Sequence, residues 1–203
     1  MQIIFLGGLF PPELDPWLKA QSRGIHHAPA NPLQWSLAKG LNEVTGQAIS
    51  IVTAPFVGRF PYAFRRLRIP SMSFAGPGST TRNCKSISFL NIRGIAAIES
   101  FFKGISALKA LTTRSPERTL LVVYGMFPNL LAAAWRIKKS RPSVEICLFV
   151  PDLPEMMGGD TSRLPVRLNL RLNSFLLRAP MRAVDYFVLV SPHMAERLPI
   201  GNR

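Results

Sequence analysis

Cysteine is scarce in this chain. Cys84 and Cys147 are the only two among 203 residues, too few and too far apart for a disulfide framework or a zinc site. Free thiols make a reducing cytoplasm the expected compartment. The opening Met1-Gln-Ile-Ile-Phe-Leu-Gly-Gly lacks a basic n-region and a following cleavage pattern, so no secretory signal is expected. Acidic residues are sparse as well: 11 stand against 25 lysines and arginines, giving a net charge of +14 and a pI near 11.1. None occurs between Glu43 and Glu99, while Arg59, Arg65, Arg66, Arg68, Arg82, Lys85 and Arg93 all fall in that interval. Such a field attracts nucleic acid, anionic lipid or phosphorylated substrates.

Long hydrophobic runs are missing too. Thr119 to Trp135 carries no charge, yet it falls short of the ~20 apolar residues a spanning helix needs. Gly125-Met-Phe-Pro128-Asn129 also breaks it in the middle, so it reads as a buried strand, a turn and an amphipathic helix. The dinucleotide fingerprint is absent, because Gly7-Gly8 continues into Leu-Phe-Pro-Pro instead of G-x-G-x-x-G opening a helix. That disfavours a nicotinamide oxidoreductase.

What is present is an alternation of strands and helices. Hydrophobic content of 47% and a mean hydropathy of +0.17 fit a folded domain with buried strands, and the length suits one substantial core. Gln2–Leu6 reads as a strand, followed by a long loop containing Pro11, Pro12, Pro16 and Pro29. Asn31-Pro32 is expected to open a helix, with Leu33, Leu37, Leu41 and Val44 at helical spacing and an end near Gly46. Ala48–Thr53 reads as a second strand and Gly76-Pro77-Gly78 as a turn, while Ser86–Asn91 alternates like a strand. Gly94–Thr112 reads as a helix with Ile95, Ile98, Phe102, Ile105 and Leu108 on one face. Leu120–Tyr124, Glu145–Val150 and Asp185–Val190 complete the strands; Asn129–Lys138, Arg163–Arg182 (ended or kinked by Pro180) and Pro192–Leu198, capped by Ser191, complete the helices. The expected class is α/β, a Rossmann-like parallel sheet with helices on both faces. The chain stops at Gly201-Asn202-Arg203 without a closing element, which reads as a fragment or one half of a larger protein.

The candidate site residues gather at expected strand ends. Glu145–Val150 runs into Pro151-Asp152-Leu153-Pro154-Glu155, so two carboxylates sit in a stiff loop at a strand's carboxyl end. Ligands of open α/β sheets bind outside that edge, where Asp152 and Glu155 can accept hydrogen bonds from hydroxyls or serve as a general base. The bland alternative is turn chemistry and helix N-terminal charge. Gly7-Gly8 allows close backbone approach to a ligand or makes a tight turn. His26-His27 has no Cys or acid at metal-ligand spacing and reads as surface loop, and no metal site is expected. His193, after the last strand, either reaches the edge that carries Asp152 or faces solvent in a first helical turn. Arg163, Arg167, Arg171, Arg178 and Arg182 fall within a helical arc of roughly 100°, with Leu168, Leu172, Phe175 and Leu176 opposite. That pattern is either a membrane-surface element or the solvated face of a sheet-packing helix.

Taken in order, these elements resemble the amino-terminal half of a GT-B glycosyltransferase of the large family four type. The resemblance spans almost the whole chain, and its carriers are the first strand with Gly-Gly, "NPLQWSLAKGLNEVTGQAISIVT", "LVVYGMFPNLLAAAWRIKK", "EICLFVPDLPEMM" and "DYFVLVSPHMAERL". It implies two Rossmann-like domains facing across a cleft, with the acceptor bound on the amino-terminal side and a nucleotide-sugar donor on the other. Under the resemblance Gly7 and Gly8 match the glycine loop near the donor phosphates. Asp152 matches an acidic position at the cleft and is the expected catalytic residue; Glu155, Tyr124, Ser191 and His193 are expected acceptor contacts. The usual His shortly after the glycine loop has no counterpart, and the donor domain's Glu-rich motif and phosphate-binding Arg/Lys are missing from these residues. The implied reaction retains anomeric configuration and uses no metal and no cofactor beyond the nucleotide-sugar co-substrate.

The acceptor implied is a glycan or a polyprenyl-pyrophosphate-linked sugar in polysaccharide or glycolipid biosynthesis. Arg65, Arg66, Arg68, Arg167, Arg171 and Arg178 are then expected to contact phosphate or an anionic membrane, placing the protein in the cytoplasm or peripherally at the inner face of the plasma membrane. A donor-binding domain is expected in cis or in trans, and this chain alone is expected to be inactive. Two rival readings stand beside this one. A non-catalytic subunit of a split glycosyltransferase fits the same motifs. A nucleic-acid module, with phosphate contacts from Arg59–Arg68 and stacking on Phe60, Tyr62 and Phe64, rests on charge alone; no recognised binding motif is present, so nucleic acid is not the expected partner.

Overall fold

The computed structural model describes residues 1–24, 30–113, 118–153 and 164–198, so Glu155, His26, His27 and Arg163 lie outside the described residues. Its frame is a seven-stranded sheet in the order β4-β5-β2-β1-β7-β8-β9. These strands are β1 (Gln2–Gly7), β2 (Ser50–Thr53), β4 (Met72–Phe74), β5 (Cys84–Ser86), β7 (Thr119–Tyr124), β8 (Val144–Val150) and β9 (Tyr186–Leu189); β3 (Arg68–Ile69) and β6 (Phe89–Leu90) form a separate antiparallel pair. Every neighbouring pair in the large sheet is parallel except β4 with β5. The expected all-parallel sheet therefore has one antiparallel edge, common in doubly wound folds.

The helices are α1 (Asp15–Gln21), α2 (Ala30–Thr45), α3 (Ile95–Thr112), α4 (Pro128–Ser140) and α5 (Leu164–Met181), followed by a short 3-10 helix, Pro192–Arg197. Both faces of the sheet are packed. Successive residues of β1 point to opposite sides, so Ile4 and Leu6 join a core with α3, α4 and α5, while Ile3 and Phe5 join a second core with Ala38 of α2. Chain direction changes at β1: the next strand, β2, lies on one side of it and β7 on the other. That is a topological switch point, beyond whose carboxyl edge doubly wound sheets hold ligands.

Several expectations need correction. The proline-rich segment after β1 contains α1, because Pro16 occupies the first turn, where a missing N–H does no harm. Buried Leu18 and an ion pair of Lys19 with Asp15 at 2.6 Å hold that helix down. Asn31 does not cap α2. Its Oδ1 instead accepts a hydrogen bond from the Phe10 N–H at 2.7 Å, which ties the helix to the loop after β1. In α2 the buried residues are Gln34 and Ala38, whereas Leu33 and Val44 face solvent. The expected strand Ser86–Asn91 splits between β5 and β6, which join different sheets.

The expected stripe of α3 packs only at Leu108 and, partly, Ile105. Ile95, Ile98 and Phe102 are exposed, and the buried side consists of Ala96, Ser100, Gly104, Ala107, Leu108 and Thr112. Small residues bring α3 close against α4; a Cβ placed on Gly104 would lie 3.7 Å from that of Ala133. Close approach of two helices outweighs burial of the larger side chains here, since those would hold the axes apart.

Among the described residues no helix is long and apolar enough to cross a membrane. Thr119 to Trp135 resolves into β7, a turn and α4, as its sequence implies. The turn needs its glycine: Gly125 has φ of +78°, and a Cβ there would strike the Phe127 ring.

Candidate functional site

Two open cavities lie beyond the carboxyl ends of the central strands. The larger, about 690 Å³, is lined by Ala54 to Arg59 after β2, by Tyr124 and Met126 to Asn129 between β7 and α4, by Pro151 and Asp152 after β8, and by Asn169, Leu170 and Asn173 of α5. It spans the switch point and is the size of a small-ligand site. The loop after β2 is fixed by Asn91, which is fully buried: its Nδ2 donates to the Gly58 carbonyl at 2.7 Å, and its Oδ1 accepts from Arg59 Nη1 at 3.4 Å. Phe56 and Phe127 close part of the wall, with ring centroids 4.3 Å apart.

Tyr124 is buried, its ring stacked on Phe149 at 5.5 Å, and its hydroxyl is held above the ordinary phenol range by burial and, secondarily, by the charge of Asp152. The phenol therefore stays a hydrogen-bond donor at physiological pH. The Arg59 guanidinium is pushed below its ordinary value by partial burial and by Arg93 beside it. The larger cavity thus offers one carboxylate, one buried phenol, one guanidinium and the amides of Asn129, Asn169 and Asn173 against an aromatic wall. The amides both give and take hydrogen bonds and the carboxylate accepts them, the pattern that hydroxyl-rich ligands need.

The smaller cavity, about 420 Å³, adjoins it, sharing Met126 and Leu170. Its walls carry Arg167, Arg171 and Arg178 from α5 and Arg197 from the 3-10 helix. Its floor is apolar, with Leu153, Leu177, Met181 and Leu198.

The expected site residues separate into three groups. Asp152 and Tyr124 meet in the larger cavity, and Arg167, Arg171 and Arg178 meet in the smaller one. Ser191 and His193 line neither; His193 is largely exposed, 4.0 Å from Glu196, and the Ser191 side chain makes no cap hydrogen bond. Arg65, Arg66 and Arg68 are exposed and line neither cavity, with Arg66 Nε donating to Gln21 Oε1 at 3.3 Å.

Gly7 and Gly8 are buried, and both have ordinary negative φ. The Gly8 N–H donates to Gln34 Oε1 at 2.8 Å, and the Phe56 ring fills the space where a Gly8 Cβ would stand. The glycines here permit close packing of α2 and the post-β2 loop, and a phosphate at that amide would have to displace Gln34.

Asn129, Asn169, Asn173 and Arg197 were not marked by the sequence, and Arg59 was marked only as part of the basic interval and of the nucleic-acid reading. The one local signal was the Asn169–Asn173 pair at i and i+4, neighbours on a helix surface. Among the described residues no group of three His, Cys, Asp or Glu comes together. No protein-family model and no curated protein matches the chain.

Proposed function

We propose that this domain is the acceptor-binding side of a retaining GT-B glycosyltransferase, with the larger cavity as its acceptor site. The carrying observation is the position of Asp152, at the end of β8, in a cavity across the switch point together with Tyr124 and three asparagine amides. The Asp152 carboxylate is the group to orient an acceptor hydroxyl and take up its proton as the glycosidic bond forms. The asparagines and the neutral Tyr124 hydroxyl hold the remaining hydroxyls, and the Phe56–Phe127 wall supports a sugar ring. The nucleotide-sugar would be held by a second domain, in cis or in trans, across the same edge. Its leaving diphosphate needs cationic and backbone N–H stabilisation, a task for that domain.

Saturation-transfer NMR with a panel of p-nitrophenyl hexosides tests the reading. The expected result is saturation of the sugar protons of at least one hexoside, weakened about tenfold or more by Asp152→Asn, which alters a hydrogen bond to a charged group, and less by Asn173→Ala, which removes a neutral one. Absence of contact with any hexoside, or contact indifferent to both substitutions, contradicts it.

A further inference from the structure

Helix α5 is packed in an unusual sense. Leu177 and Met181 are buried, but Leu168, Leu172, Phe175 and Leu176 are 56%, 55%, 65% and 48% exposed. At about 100° per residue the outward pole of the helix is therefore an apolar crest, with the arginines on one flank and Asn169 and Asn173 on the other. The arginines are exposed too, but on the flank of that crest rather than at its pole. There they line the smaller, open cavity, where Arg197 joins them from the 3-10 helix. Among the described residues none of Arg167, Arg171 and Arg178 is in an ion pair, and no carboxylate lines the cavity.

Guanidinium groups gathered around an apolar floor favour an anion that can accept forked hydrogen bonds, phosphate above all. An apolar crest beside them favours a ligand that presents hydrocarbon at the same place. One chemical class combines the two: a lipid with a phosphate or pyrophosphate head. The strongly positive chain, +14 overall, complements an anionic bilayer.

We propose that the arginine-lined cavity receives the phosphate or pyrophosphate head of a membrane lipid, while the crest of α5 lies in the interfacial layer of the bilayer that holds it. Because this cavity shares Met126 and Leu170 with the one containing Asp152, a sugar carried on that head would enter the larger cavity. That last step rests on the acceptor reading above; binding of the head group does not.

Co-sedimentation with three kinds of vesicle tests it: phosphatidylcholine alone, with phosphatidylglycerol, and with farnesyl pyrophosphate at matched charge. The expected order is pyrophosphate above phosphatidylglycerol above neutral vesicles, with inorganic pyrophosphate displacing the first. Arg171→Lys and Arg178→Lys keep the charge but lose the forked geometry, and each should weaken the pyrophosphate vesicles selectively. Arg171→Ser should cost about fivefold on either anionic vesicle. Phe175→Asp should remove vesicle binding while inorganic pyrophosphate still binds in solution, which shows the variant is folded. Equal binding to both anionic vesicles with no effect of inorganic pyrophosphate overturns the head-group site. Unimpaired vesicle binding by Phe175→Asp overturns the crest. Pyrophosphate binding without any hexoside contact would remove the acceptor reading and leave the lipid site standing; the converse would do the opposite.

Discussion

The molecule has a closed side and an open side, and helices α4 and α5 show the difference. Both are amphipathic and basic, and they are neighbours over the same face of the sheet. In α4 the apolar side is sealed: Leu130, Leu131, Ala133, Ala134 and Ile137 are fully buried. In α5 most of the apolar side is outside, and the basic flank borders a cavity. The strands beneath follow suit, since β1 and β2 are buried along nearly their whole length, whereas Tyr186 and Val188 of β9, and Val190 beyond it, are exposed. Amphipathic periodicity shows that a helix has two sides, and the neighbours decide which one is packed. A large apolar surface left open beside fixed cations marks the part of a fold given over to binding.

Stability measurements can break this comparison. The largest effect is expected in α4: Leu131→Ala should destabilise by about 2–5 kcal/mol in urea unfolding, the range for a leucine with no room to collapse. The matching Leu172→Ala in α5 should stay within about 0.5 kcal/mol. Equal losses would mean that α5 is packed after all. A smaller effect sharpens the boundary between the sides. Asp185, just before β9, accepts hydrogen bonds from Lys138 Nζ at 2.5 Å and from the Ile146 N–H at 2.7 Å, so it joins the end of α4 to β8. Asp185→Ala should cost about 1–3 kcal/mol by leaving those donors without their carboxylate, with unfolding still a single transition.

The smallest effect is one of pH. Burial pushes the Cys84 thiol on the closed side from 9.0 up to about 11. The unfolded chain therefore releases this proton first as pH rises. Stability contributed by the neutral thiol is complete below pH 9.0, declines between 9.0 and about 11, and is gone above that range. Comparing unfolding free energies of wild type and Cys84→Ala across this window should show the steeper alkaline decline in wild type. Parallel curves would contradict it.

The central strands were legible in the sequence because each is a short apolar run bounded by turn residues, and α4 because Pro128 opens a longer segment with apolar residues at helical spacing. The place of Asp152 followed from the same pattern. The packing side of α3 was not legible, because what α4 selects there is smallness, at Ala96, Ser100, Gly104 and Ala107, and hydrophobic spacing points instead to Ile98 and Phe102. The orientation of α5 was hidden for a related reason: its arginines and leucines form two clean stripes whichever one faces outward. Arg59, Asn129 and Arg197 come from three distant segments, and only the sheet order brings them to one edge. Nor does any local pattern announce that Gln34 takes up the Gly8 amide.

Hydrogen exchange of the free protein and of the protein on vesicles carrying farnesyl pyrophosphate tests the division into closed and open sides most directly. Binding should slow exchange in 167–178 of α5, in the loop of residues 151–153 and around Arg197, and leave α4 and β2 unchanged. Protection centred on α4 or the β4 edge, or none at all, would contradict the account.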